Sequence, residues 1–264
     1  MMIYIVLFLL ILYLFLTMSE KEGFSVIETE GILNKVYTNE KIYDNFYTFI
    51  YDDVVLTIPY SIELIQIIRP YLHHQGHTLC IGSKTGHIVQ LLSETTKTTG
   101  LESSKSMIKM SQYKYPDHNY VHGSYFDSSL FQPNKFTHVI LPFFTVHTLS
   151  NFKEICYIVK EWTIHSGYFF VCFTDIYKFP VHKWVNHSPS SYFRSNYQYS
   201  LAIQKNQMIE TIQDTKGTER TNKQDLYSYT EYELIQQARP SGFVHVKTLH
   251  YKMAPISVCV FQHK

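Results

Sequence analysis

Apolar and polar positions along this chain fall into blocks, and the period of each block predicts an element. Ser61 to Leu72 carries Ile62, Leu64, Ile65, Ile67 and Ile68 at helical spacing and ends near Pro70. HTLCIG at 77–82 predicts a short apolar strand, followed by SKTG and by HIVQLLSE at helical spacing. TTGLE at 98–102 predicts a second strand. Residues 104–113 predict a helix with Ser104 as its N-cap, and Tyr120–Val121 a brief third strand. FTHVILPFF at 136–144 predicts a buried strand, 152–162 a helix, and YFFVCF at 168–173 another buried strand. Strands that are apolar almost throughout, separated by amphipathic helices, predict a parallel sheet covered on both faces. The C-terminal third has a different rhythm. Residues 197–203 and 208–214 alternate around a short polar turn, as an antiparallel hairpin does, and Lys216-Gly217 marks a further turn. Thr230 caps a helix that closes at Ala238 before Pro240, and 243–251 and 256–262 form a last strand pair.

The N-terminal block has no polar phase at all. Met2 to Met18 reads MIYIVLFLLILYLFLTM, without charge, Gly or Pro. At about 1.5 Å per residue it spans roughly 25 Å of a ~30 Å hydrocarbon core. We expect a transmembrane anchor over 1–18. A cleaved signal peptide fits less well, because no Lys or Arg precedes the run, and a buried core helix is the third alternative. Lys21 and Lys35 follow the segment, so the positive-inside tendency turns the body toward the cytoplasm. Residues 19–40 are polar and mixed and read as a tether. Residues 41–264 form the folded domain, with 174–228 as an inserted hairpin region suited to covering a substrate.

Composition changes this picture little. Of 264 residues, 45% are hydrophobic, which excludes a disordered chain. Basic and acidic residues number 23 and 22, so no nucleic-acid footprint is expected. Cys80, Cys156, Cys172 and Cys259 lie in apolar runs with no Cys-x-x-Cys pair, and read as buried hydrophobes of a reducing compartment. His73, His74 and His77 cluster in a loop, but among 14 scattered histidines they do not amount to a metal site, and none is expected. Lys216, Arg220 and Lys223, with Glu219, read as a solvated hairpin turn.

The chemistry concentrates at 77–102. Gly82 and Gly86 bracket Ser83, Lys84 and Thr85 between a strand and a helix, where backbone can approach a ligand and unpaired N–H groups are on offer. Glu102 ends the second strand, where a carboxylate can accept two hydrogen bonds from a ribose diol. An ordinary tight turn with a solvated glutamate fits these residues equally well. Neither the dinucleotide glycine pattern nor a phosphate loop is present.

Beyond single residues, TLCIGSKTGHIVQLL resembles motif I of class I S-adenosylmethionine-dependent methyltransferases, commonly LDIGCGTG before an apolar helix. TTGLESSKSMIKMS resembles the family's next element, and YVHGSYFDSSLFQPNKFTHVILPFFTVHTLSN the stretch around its fourth strand. HSGYFFVCF resembles the turn into the fifth strand, and YTEYELIQQARPSGFVHVKTLHY the late helix, Gly-Phe turn and strand. The similarity runs in order over about 41–264. It implies a Rossmann-like α/β fold with a seven-stranded sheet, the last strand antiparallel, and S-adenosylmethionine over the strand ends. It implies Gly82, Ser83, Thr85 and Gly86 on the methionine side, Glu102 at the ribose and Ser103 and Met107 beside the adenine. Ser124 and Tyr125 would lie near the adenine amino group, Leu141 to Phe143 beneath the methyl donor, and Tyr43, Asp44 and Tyr47 in a lid. His147 would take the place of a general base. The sequence departs from the family at Cys80, Lys84 and Ser124, where the family has an acid, a glycine and an acid. Two functions follow as expectations. One is methyl transfer to a small molecule or to a membrane-associated lipid. The other is a catalytically inactive module that keeps the fold for interaction.

Overall fold

The computed structural model describes residues 33–55 and 58–264. The expected anchor over 1–18 and most of the expected tether lie outside them. Among the described residues, no helix is long and apolar enough to cross a membrane.

The described residues form two sheets. After β1 (Lys35–Thr38) come α1 (Asn45–Val54) and α2 (Ile58–Ile68), which precede the first strand of the main sheet. That sheet is built from β2 (His77–Ile81), β3 (Lys97–Glu102), β4 (Asn119–His122), β5 (Phe136–Leu141) and β6 (Thr163–Phe173), with the late strands β10 (Phe243–His250) and β11 (Ser257–His263). Its spatial order is β10-β11-β6-β5-β2-β3-β4. β2 to β6 pair in parallel, while β11 runs antiparallel to both β6 and β10. The expected seven-stranded sheet with an antiparallel last strand is therefore present.

Helices cover both faces, because the central strands are apolar on both. α3 (His87–Ser93) and α4 (Lys105–Lys114) follow β2 and β3, and α5 (Phe152–Trp162) and α7 (Glu231–Ala238) lie further along the chain. Alternate strand residues divide between two cores. Cys80, Ile140, Phe170 and Cys172 face one, with α1, α2 and α3. Leu79, Val139, Leu141 and Val171 face the other, with α5 and α7. Local signals set the helix starts at the expected places. Ser104 Oγ accepts from the Met107 N–H, and Thr230 with Glu233 closes a reciprocal capping box. All four cysteines are buried and free.

The second sheet was only half legible. The expected hairpin exists as β7 (Tyr197–Gln204) and β8 (Gln207–Asp214), preceded by the short α6 (Ser191–Asn196). It is joined by β9 (Glu219–Asp225) and by β1, in the order β1-β9-β8-β7. β1 pairs in parallel with β9, Lys35 opposite Arg220. Thus Lys35–Thr38, expected in a polar tether, is a strand, and the segment after Gly217 is a third antiparallel strand, not a solvated turn. Pairing between residues so distant in sequence leaves no local periodicity to read.

Candidate functional site

The C-terminal ends of β2 to β5 open into a cleft of about 470 Å³, roofed by the chain leading into α1 and by the second sheet. Tyr43, Lys84, Ser103, Ser124 and Tyr125 line it, together with Gln224 and Asp225 of β9. That volume lies within the usual range of small-molecule sites, about 300–1,000 Å³. Behind it sits an inner chamber of about 60 Å³, which shares Tyr43, Lys84 and Tyr125 with the cleft and is bordered by Gly82 as well. Its deeper wall carries Tyr47, Tyr51, Phe143, Trp184, Met208 and Glu210.

The loop after β2 is tightly wound. Gly82, Lys84 and Gly86 all have positive φ, at 79°, 49° and 88°. Lysine adopts this region at a steric cost that glycine escapes. The space above the glycines belongs to the protein itself. A Cβ on Gly82 would meet the Thr145 hydroxyl at 2.8 Å, and one on Gly86 would meet the Tyr120 hydroxyl at 2.6 Å. Gly86 thus serves close packing of the loop on β4 and α4. Ser83 and Thr85 border a side chamber of only about 20 Å³. Thr85 Oγ1 donates to Asp52 Oδ1 at 2.8 Å, tying the loop to α1, while the buried Ser83 hydroxyl has no hydrogen-bond partner.

Glu102 is fully buried. Its Oε1 accepts from the N–H groups of Ser103 and Ser104 at 2.9 and 3.1 Å, and its Oε2 from the Lys84 N–H at 3.0 Å. The Lys84 ammonium lies 3.8 Å from the same oxygen and 3.8 Å from the centre of the Tyr43 ring. Burial opposes the charge on Lys84, but the Glu102 carboxylate, with the phenol of Tyr43, holds its pKa well above the ordinary lysine value. The cleft therefore contains a cation supplied by the chain.

Other expected contacts fall elsewhere. Leu141 is buried in the core under α5, because its side chain leaves β5 on the face away from the lid, and Phe143 borders the chamber instead. Met107 is fully buried in the core beneath α4. His147 is fully buried, and its Nδ1 lies 2.7 Å from the Tyr227 carbonyl, to which it must donate. Its Nε2 then accepts from the Thr174 N–H at 3.1 Å. Both nitrogens are engaged by backbone, and burial pushes the ring pKa down to about 4. A general base needs a free acceptor nitrogen facing the substrate. His147 has none, and it pins the exit of the second sheet to the end of β6.

Reading the chain missed the polar core under the second sheet. Glu210 is only 2% exposed, and its Oε1 accepts from Tyr47 and Tyr199 hydroxyls at 2.5 and 2.6 Å. Asn222 Nδ2 donates to Oε2 at 3.3 Å. Arg220, expected in a solvated turn, is fully buried. It donates to Asp44 Oδ2 at 2.7 Å, to the Ile42 carbonyl at 2.8 Å and to Asn222 Oδ1 at 2.8 Å. Asp44 also caps α1 by accepting from the Tyr47 N–H at 2.9 Å. The one available signal was alternation. Glu210 shares a strand face with Met208 and Ile212, and Arg220, Asn222 and Gln224 share one face of β9. Nothing local says which face turns inward.

No family model matches the sequence, and no curated protein matches it either. Solved structures do resemble the fold. The CcbJ methyltransferase from Streptomyces caelestis superposes with a TM-score of 0.65 at 16% identity, over 85% of this chain and 99% of that one. The chain has the class I methyltransferase fold. An S-adenosylmethionine-dependent methyltransferase from Clostridium acetobutylicum gives 0.58 at 13% identity, over 82% and 95% of the two chains. CalS10 from Micromonospora echinaspora, an amino pentose methyltransferase with S-adenosylmethionine bound, gives 0.55 at 13%, over 77% and 90%.

Proposed function

We propose that this protein transfers a methyl group from S-adenosylmethionine to a small molecule. The observation that carries the reading is the shared border of the two spaces. Tyr43, Lys84 and Tyr125 wall both the outer cleft and the inner chamber, so a donor in one would face an acceptor in the other. The residues present fit the cofactor once the Lys84 side chain turns outward. Glu102 would then accept the ribose hydroxyls, Ser103, Ser124 and Tyr125 would hold the adenine end, and Gly82, which borders the inner chamber, the methionine end, whereas Ser83 and Thr85 face the side chamber. The unpaired Ser83 hydroxyl packs toward Gly100 of β3. When bound, the cofactor supplies a sulfonium-activated methyl group, so the protein needs chiefly to align acceptor and donor and to exclude water. The aromatic wall of the inner chamber suits both tasks. We also propose that Met2–Met18 anchors the domain at a membrane, facing the cytoplasm, where the acceptor would be met. Extraction of full-length protein by alkaline carbonate as readily as a chain lacking residues 2–18 would refute the anchor.

One observation favours a second reading, a non-catalytic module. Lys84 and three backbone N–H groups already occupy Glu102. Calorimetric titration with S-adenosylmethionine decides between them. Micromolar binding weakened by Glu102→Ala supports the enzyme, and absence of binding at millimolar cofactor supports the module.

A further inference from the structure

We propose that the inner chamber is a binding site for an organic amine in its ammonium form, held by Glu210 inside a ring of aromatic side chains. This narrows the acceptor of the methyl-transfer reading and rests on that reading only for the chemistry after binding: the ammonium would pass a proton to Glu210, and its freed lone pair would form the new N–C bond as the S–C bond breaks and the sulfonium leaves as a neutral thioether.

Three observations converge. First, the charges above the chamber do not cancel. Asp44 and Glu210 are two carboxylates against the single guanidinium of Arg220, which donates its hydrogen bonds to Asp44, Asn222 and the Ile42 carbonyl. Arg220 favours the Glu210 charge from a distance, through the shared Asn222, but among the described residues Glu210 makes no salt bridge. A buried carboxylate without a cation is costly, and proteins ordinarily pair or neutralise it. Second, its surroundings suit a cation. Tyr47, Tyr51, Phe143 and Trp184 border the chamber with Glu210, and aromatic faces attract ammonium groups. Lys84 does not fill this role, because its ammonium sits against Glu102 and Tyr43 at the mouth. Third, Glu210 is held in place. Tyr47 and Tyr199 fix Oε1, whereas Oε2 accepts only the longer bond from Asn222. A carboxylate oxygen has room for two donors, so Oε2 retains capacity for an N–H donor. Burial pushes the Glu210 carboxyl above the usual carboxylate range, and a cation beside it would favour the charged form again.

The test compares methylamine with methanol, a charged and a neutral probe of similar shape and small enough for the chamber, by calorimetry on the full-length protein in detergent. The amine should bind at least tenfold more tightly than the alcohol, and Glu210→Gln should abolish the difference. Equal affinities, or a preference that survives Glu210→Gln, would overturn the amine site. Should Glu210→Gln fail to fold, Met208→Lys replaces it, because it places an internal ammonium in the chamber from the same strand face and is expected to weaken amine binding at least tenfold. Titration of the same samples with S-adenosylmethionine separates the two ideas. Cofactor binding without amine preference removes the amine site and leaves methyl transfer standing. Amine preference without cofactor binding keeps the amine site and removes methyl transfer.

Discussion

Glu102 and Glu210 are both buried glutamates, yet they are satisfied in opposite ways. Glu102 ends β3 and faces a loop and a helix start, so three backbone N–H groups and one ammonium converge on it. Its charge is compensated by the chain, so a ligand would meet it through neutral hydrogen bonds and need bring no cation. Glu210 lies mid-strand in β8, where backbone N–H groups are engaged in the ladder, so only side chains reach it: two phenols and an amide. Neutral donors stabilise a carboxylate without cancelling its charge. The position of an acid within its element therefore decides whether its site is closed or awaits a partner.

The largest way to break the contrast is Arg220→Ala. It removes the guanidinium bonded to Asp44 and leaves that carboxylate and the Ile42 carbonyl without their donor. The cost should be about 3 kcal/mol, the low end for a broken buried pair, because Asp44 is partly exposed. We expect protease sensitivity of the region around α1 and a lower unfolding midpoint. The fluorescence of Trp162, buried in the opposite core and read in a Trp184→Phe background, should change last. An early loss of both cores together would refute a separately held lid.

Acid should act on the whole domain next. Burial lowers His77, His138 and His147 to about 4, below an ordinary histidine near 6.5. A group depressed in the folded state stabilises the fold above its unfolded pKa, and that contribution is lost as pH falls toward the folded value. Urea midpoints should therefore fall between about pH 6.5 and 4. The slope should reach up to about 1.4 kcal/mol per pH unit for each of the buried His138 and His147. The half-exposed His77 should add less, since solvent screens it. His147→Gln should flatten the slope by one proton, and a slope unchanged in that variant would argue against its neutral burial.

Two smaller changes sharpen the comparison directly. Lys84→Gly relieves a left-handed lysine, at about 1–2 kcal/mol, and clears the outer cleft. We expect S-adenosylmethionine to bind roughly tenfold more tightly by calorimetry, the factor that corresponds to about 1.4 kcal/mol. Weaker binding would mean that Lys84 helps to hold the cofactor. Glu210→Gln should preserve the acceptor for Tyr47 and Tyr199 while removing a buried charge that has no salt-bridge partner among the described residues. Because the carboxyl is raised in the folded state, its ionisation costs stability as pH rises through the folded pKa. The variant should gain about 0.5–2 kcal/mol near neutrality, a familiar trade of function for stability, and little at acid pH. A loss of thermal stability at neutral pH would count against the unpaired charge.

The chain's own pattern was sufficient for the main sheet. Its strands are apolar over several successive residues, its helices carry their caps within a turn, and both signals are local, so HTLCIG, TTGLE and YFFVCF could be placed without coordinates. The same holds for the glycine loop and for Glu102, since a strand end followed by a turn is a property of neighbouring residues. Folding in three dimensions decided the rest. Whether Lys84 points into the cleft, whether His147 keeps a free nitrogen and whether Leu141 or Phe143 meets the chamber depend on side-chain direction at the sheet surface. The inward face of β8 and β9, and with it Glu210 and Arg220, depends on pairing with β1 and docking on α1, contacts made across more than 160 residues between Tyr47 and Glu210. Long-range burial turns a polar side chain into a core charge, and no local pattern of charge or hydropathy encodes that.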